Sequence, residues 1–205
     1  MVVAVKEGLF GSFSSSLALN PTGRHYDALK SYLSSSYEDL YFDEDAIYME
    51  RNSRDFQRRI RVIDSNAEAV CEFLRSRSVM GGGGAGSVIK EVLYPKWTTR
   101  ENYERCRTKG TGERGGGGFG GLFSLTFTSN AGSETFFDAL PYHKGPSLGT
   151  NFTLACPYTV LGHYNEMEWA EGYGVEGGLV RVSVGMEDTN SLLEGMGRAL
   201  KVAEA

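Results

Sequence analysis

The chain has 205 residues, 40% of them hydrophobic, 12% aromatic and 23% charged, with a formal net charge of −5. This is long enough for a real core, too apolar for a disordered segment, and too acidic for a general attraction to nucleic acid or an anionic membrane. No stretch approaches the roughly 18 apolar residues of a membrane-spanning helix. The three cysteines, Cys71, Cys106 and Cys156, are odd in number and lack CxxC spacing, so they read as free thiols in a reducing, cytoplasmic compartment rather than as a disulfide framework.

In chain order, residues 1–20 form a leader whose apolar character is broken by Lys6, Glu7 and several glycines and serines, a poor signal peptide. Arg24 to Tyr37 reads as a short helix, with Tyr26, Leu29, Leu33 and Tyr37 at helical spacing. The clearest element follows: Phe56, Ile60, Ile63, Ala67, Val70 and Leu74 recur at intervals of three and four and predict one apolar helix face, with Asn52 or Ser53 as its cap. Gly81–Gly84 should end it. A strand is predicted over Val88–Tyr94, closed by Pro95, then a polar segment to Arg114 and a second glycine run, Gly115–Gly118.

Leu122–Thr128 alternates Phe123, Leu125 and Phe127 against Ser124, Thr126 and Thr128, the pattern of a half-buried strand. A helix over Ala131–Leu140, a strand over Phe152–Val160 with a break at Pro157, and a strand over Leu179–Val184 come next. Asp188 should cap a last helix carrying Leu192, Leu193, Met196, Leu200 and Ala203. This order predicts an α/β fold in which one sheet is covered by helices, a two-layer sandwich.

Gly81–Gly86 formally satisfies GxGxxG. A dinucleotide site, however, needs a strand before the glycines and a helix after them, and here the order is reversed. Both glycine runs therefore read as flexible loop filler. The basic group Arg51, Arg54, Arg58, Arg59 and Arg61 is interleaved with Glu50 and Asp55 and reads as a solvated helix face. His25, His143 and His163 are dispersed and have no metal-ligand spacing. The anomaly is Arg181. In Gly178–Gly185, Val180, Val182 and Val184 face one way, while Leu179, Arg181 and Ser183 face the other. A permanent guanidinium in so apolar a strand either snorkels to solvent or meets an anion.

Several motifs then line up with one family. Ser147-Leu148-Gly149 through Thr153-Leu154 and Pro157, with His163 following, resembles its SLGxxxSLxxxP…TH segment. Gly174 to Asp188 resembles its GLxRxSxGxED signature. Tyr41–Phe56 and Tyr94-Pro95-Lys96-Trp97 are most similar to the fungal type. The family is that of the pyridoxal-phosphate-dependent enzymes of Cys/Met metabolism, of the cystathionine γ-synthase kind, and the likeness runs from about Leu17 to the C-terminus.

The resemblance implies the small C-terminal domain of the aspartate-aminotransferase-like fold. Residues 21–205 would be a substrate-carboxylate-binding domain, and 1–20 a remnant of the large cofactor domain. It implies pyridoxal 5′-phosphate as cofactor, an amino acid as substrate, and trans-sulfuration in methionine biosynthesis. Arg181 would bind the substrate α-carboxylate, with Thr153 lining the same pocket. The expected cofactor-lysine motif, S-x-T-K-Y-x-x-G, is absent; Lys6 stands near its place, but Val5, Glu7 and Gly8 do not match it. The implied alternatives are an incomplete subunit in a homo-oligomer, a non-catalytic partner of full-length subunits, or a related lyase or sulfhydrylase.

Overall fold

In the computed structural model, the described residues are 17, 19–84, 86–110 and 116–205. The chain divides into two units, Met1–Phe56 and Gln57–Ala205. In the first unit, α1 (Tyr26–Ser36) lies where the spacing predicts it. A second helix, α2 (Asp43–Ser53), has no counterpart in the sequence reading, and neither helix has a buried residue. Asn52 and Ser53 close α2 instead of capping its successor. Three acidic residues, Asp43, Glu44 and Asp45, in the first turn and Arg51 in the last suit the helix dipole. That is enough to write a helix without an apolar stripe. Arg54 pairs with Glu50 at 2.9 Å on the solvent side, as expected of the basic group.

The second unit carries the core. Helix α3 (Phe56–Arg75) buries Ile63, Ala67, Val70 and Leu74, four of its six predicted positions, while Phe56 and Ile60 stay exposed. Strands β1 (Ile89–Leu93), β2 (Leu122–Phe127), β3 (His143–Lys144), β4 (Leu154–Pro157) and β5 (Val180–Ser183) form one sheet in the order β1-β2-β5-β4-β3. All neighbours are antiparallel except the pair β3–β4. Helix α5 (Asn130–Ala139) and helix α8 (Thr189–Ala203) complete the second layer. Phe123, Leu125, Val180 and Val182 pack in one core with Val70 and Leu74 of α3, Phe136 of α5, and Leu192 and Met196 of α8. This is the predicted sheet covered by helices, a two-layer α/β sandwich.

Three readings need correcting. The strand expected over Phe152–Val160 ends at Pro157, which has no N–H for a ladder, and Tyr158–His163 turns into helix α6, with α7 (Met167–Gly172) after it. The polar segment after Thr98 holds a short helix, α4 (Arg100–Glu104), entered through Thr99 in the left-handed region at φ 52°. The third correction concerns Gly83 and Gly118, which are not filler. A Cβ on Gly83 would stand 2.4 Å from the Arg77 carbonyl carbon, and one on Gly118 would stand 2.5 Å from the Asp64 side chain. The Asp64 carboxylate accepts the Gly118 and Gly120 amides at 3.1 and 3.0 Å, so the second run is pinned to α3. Burial nevertheless raises the Asp64 carboxyl above the usual range, against the two amide bonds that lower it.

Candidate functional site

The GLxRxSxG strand is explained residue by residue. Gly178 sits against α5, where an added Cβ would meet Ser133 at 3.1 Å, and the Ser133 hydroxyl donates to the Gly178 carbonyl at 2.5 Å. Val180 and Val182 enter the core, and pleating turns Arg181 and Ser183 to the other face. Gly185 lets the chain cross β4's entry, since a Cβ there would stand 2.5 Å from the Phe152 backbone. Asp188 caps α8 as predicted, its carboxylate accepting the Ser191 amide at 3.0 Å.

Between these glycines, β5 holds a loop. The Arg181 Nη2 donates to the Pro146 carbonyl at 2.6 Å, and the Ser183 Oγ accepts the Gly149 amide at 3.2 Å. The Ser147-Leu148-Gly149 motif is thus tied to the arginine strand at both ends, by contacts spanning 35 and 34 residues of sequence. Gly149 has φ +72°, the left-handed turn that brings its amide round to Ser183. Arg181 lies directly opposite Cys156 on β4 and Ser124 on β2. Its guanidinium stands over the Tyr158 ring, 5.0 Å from the centroid. Burial pushes the Cys156 thiol up, while the adjacent Arg181 pulls it down. Among the described residues no carboxylate is paired with Arg181.

Thr153 is fully buried. Its hydroxyl donates to Glu187 Oε2 at 2.9 Å and accepts the Gly185 amide at 3.0 Å, while its own amide donates to Glu187 Oε1 at 2.5 Å. The single hydroxyl proton is therefore committed to Glu187. A second clip, invisible in the sequence, is Asn66 on α3. Its amide donates to the Gly185 and Glu187 carbonyls at 3.1 and 2.8 Å and accepts from the Thr189 hydroxyl at 2.7 Å. Together Thr153, Glu187 and Asn66 fix the turn that joins β5 to α8. His163 pairs with Glu166 at 2.8 Å on the rim, outside the Arg181 cluster.

Lys6, the candidate cofactor lysine, lies outside the described residues. Of the described lysines, Lys90 pairs with Glu176 at 2.7 Å, and Lys96 bridges Glu68 and Glu72. Lys144 donates to the Phe137 and Leu140 carbonyls, closing the end of α5, and burial lowers it. These side chains hold the scaffold together. No helix among the described residues is long and apolar enough to cross a membrane, and no cluster of His, Cys, Asp or Glu among them could hold a metal ion.

Comparison with known proteins finds relatives over most of the chain. The sequence model of the Cys/Met metabolism PLP-dependent enzymes matches residues 41–201. A cystathionine gamma-synthase-like enzyme of Amanita muscaria is 61% identical over 196 residues, which make up 92% of this chain and 31% of that protein. The cystathionine gamma-synthase of Neurospora crassa is 46% identical over 186 residues, 90% of this chain and 28% of its own length. A crystal structure of cystathionine gamma synthase from Xanthomonas oryzae pv. oryzae, in complex with aminoacrylate and cysteine, superposes with a TM-score of 0.62 and 28% identity. It covers 78% of this chain, which in turn spans 38% of it. The chain thus spans about a third of the length of the relatives it matches, and it belongs to the Cys/Met metabolism family of pyridoxal-phosphate-dependent enzymes.

Proposed function

We propose that this chain is the substrate-carboxylate-binding part of a cytoplasmic trans-sulfuration enzyme, a cystathionine γ-synthase-like γ-replacement of an activated homoserine by cysteine. The rest of the subunit would supply the lysine and the phosphate cradle, in a homo-oligomer or paired with full-length subunits. Pyridoxal phosphate, when bound there, stabilises the carbanion chemistry. The residues of this chain bind and orient the amino acid.

One observation carries the reading: Arg181 stands half-buried on the sheet face opposite α3, α5 and α8, held by the Pro146 carbonyl, with no carboxylate partner among the described residues. That bond uses one of the five N–H donors of a guanidinium, and the planar fork matches a carboxylate in a way that lysine cannot. Thr153 supports the same pocket from within by anchoring the β5–α8 turn to Glu187, without spending its proton on substrate. In a complete subunit, Arg181→Lys removes a pair of charge-assisted bonds worth about 1.5–3 kcal/mol each. KM for the amino acid should rise about a hundredfold or more, with the cofactor's absorbance unchanged. Unaltered kinetics in that variant would sink the assignment.

A further inference from the structure

Tyr158 has no place in the family motif around it, and its position is fixed from several sides. It begins α6 immediately after the strand-ending Pro157, and its amide donates to the Leu179 carbonyl at 3.0 Å. The next residue, Thr159, is fully buried and donates its hydroxyl to the Glu176 carbonyl at 2.6 Å. The chain leading into β5 is therefore tied at two points to the first turn of α6, and the ring of Tyr158 is delivered under the Arg181 guanidinium, 5.0 Å from its carbon. Tyr158 also meets the His163 ring edge-on at 5.8 Å, which limits the ring's own rotation. Besides Cys156 on the neighbouring strand, two contacts of different kinds hold the Arg181 guanidinium. The Pro146 carbonyl holds one end of the fork through Nη2, and the aromatic face sets the plane. A hydrogen bond to one nitrogen leaves the guanidinium free to swing about that bond, whereas a ring stacked beneath it does not.

We infer that Tyr158 is a positioning residue for Arg181: its ring fixes the plane in which the guanidinium presents its remaining donors, and so sets the affinity for a substrate α-carboxylate. Only the consequence for substrate rests on the carboxylate reading above; the ordering of the guanidinium does not depend on it. Two properties follow from the physics. The effect belongs to the ring and its quadrupole, so the hydroxyl is dispensable. The effect also acts on orientation, so the charge of Arg181 is untouched.

The test uses the 205-residue chain labelled with 15N-arginine, with the Arg181 side-chain resonance identified by its loss in Arg181→Lys. Rotation about the Arg181 Nε–Cζ bond is measured first, without ligand. It should be slow in the wild type and in Tyr158→Phe, and about fivefold faster in Tyr158→Leu, the size expected of a partly desolvated cation–π contact. A shape-preserving variant, Tyr158→Phe with the ring perfluorinated, reverses the quadrupole without emptying the site. It should match the leucine variant, so a folding defect in the latter does not blunt the test. L-homoserine is then titrated against the same resonance, and its affinity should fall about fivefold in the two ring-altered variants and stay within twofold in Tyr158→Phe. Wild-type rotation rates in the leucine and perfluorinated variants would overturn the inference. So would a phenylalanine variant that behaves like leucine. A wild-type Arg181 resonance that is ordered as expected but indifferent to L-homoserine would instead overturn the carboxylate reading and leave the positioning role standing.

Discussion

Replacing Asn66 by alanine should cost more than any surface change of similar size, although nothing in the local sequence marks this residue. Its side chain is 2% exposed and makes three hydrogen bonds, two as donor to the Gly185 and Glu187 carbonyls and one as acceptor from Thr189. A net hydrogen bond contributes about 1 kcal/mol, and a buried partner left unsatisfied costs about 1–3 kcal/mol. Thr189 can turn its hydroxyl elsewhere, but the two carbonyls cannot leave the β5–α8 turn. The loss should therefore be about 3 kcal/mol, a large share of the roughly 5–15 kcal/mol typical of a domain. For a chain of this size the melting midpoint should fall by about 6–12 °C. Asn66→Asp keeps the volume and the acceptor for Thr189 but turns a carboxylate toward two carbonyls, so it should be at least as damaging at neutral pH. Urea unfolding followed by circular dichroism gives the free energies directly. A change below about 0.5 kcal/mol in Asn66→Ala, the level of an ordinary surface substitution, would show that the clip does not bind α3 to the turn.

Gly83→Ala should destabilise the chain because its Cβ would stand 2.4 Å from the Arg77 carbonyl carbon, while Gly86→Ala, which meets nothing within 4 Å, should stay within about 0.5 kcal/mol of the wild type in the same melt. Thr153→Val keeps the shape and removes a hydroxyl bonded to both Glu187 and the Gly185 amide; unfolding experiments should register a loss of about 2 kcal/mol, and a neutral result would remove Thr153 from the turn's support. Native thiol labelling should modify Cys106 quickly. Cys71 and Cys156, buried and with thiols raised by burial, should react only after denaturation; fast labelling of Cys156 would contradict its place beside Arg181.

What the sequence determined by itself was local and periodic. The three-and-four spacing of α3 named its buried face, the Val180/Val182 alternation separated Arg181 from the core, and Asp188 announced the start of α8. These signals are legible because a helix or a strand repeats its environment every few residues. The likeness to a known family added Arg181 as the residue to watch. What the tertiary structure decided was everything carried by contacts distant along the chain: Asn66 reaching Glu187 across 121 positions, and the Pro146 carbonyl meeting the Arg181 guanidinium across 35. Strand periodicity also misled at Thr126. It lies on the face that alternation assigns to water, yet it is 4% exposed, with a hydroxyl that finds no partner among the described residues. The glycine runs misled in the opposite sense. Composition makes them filler, but the close approach of Arg77 and Asp64 makes Gly83 and Gly118 sterically necessary. A sequence records which residues lack a side chain, and only the packing around them says whether one would fit.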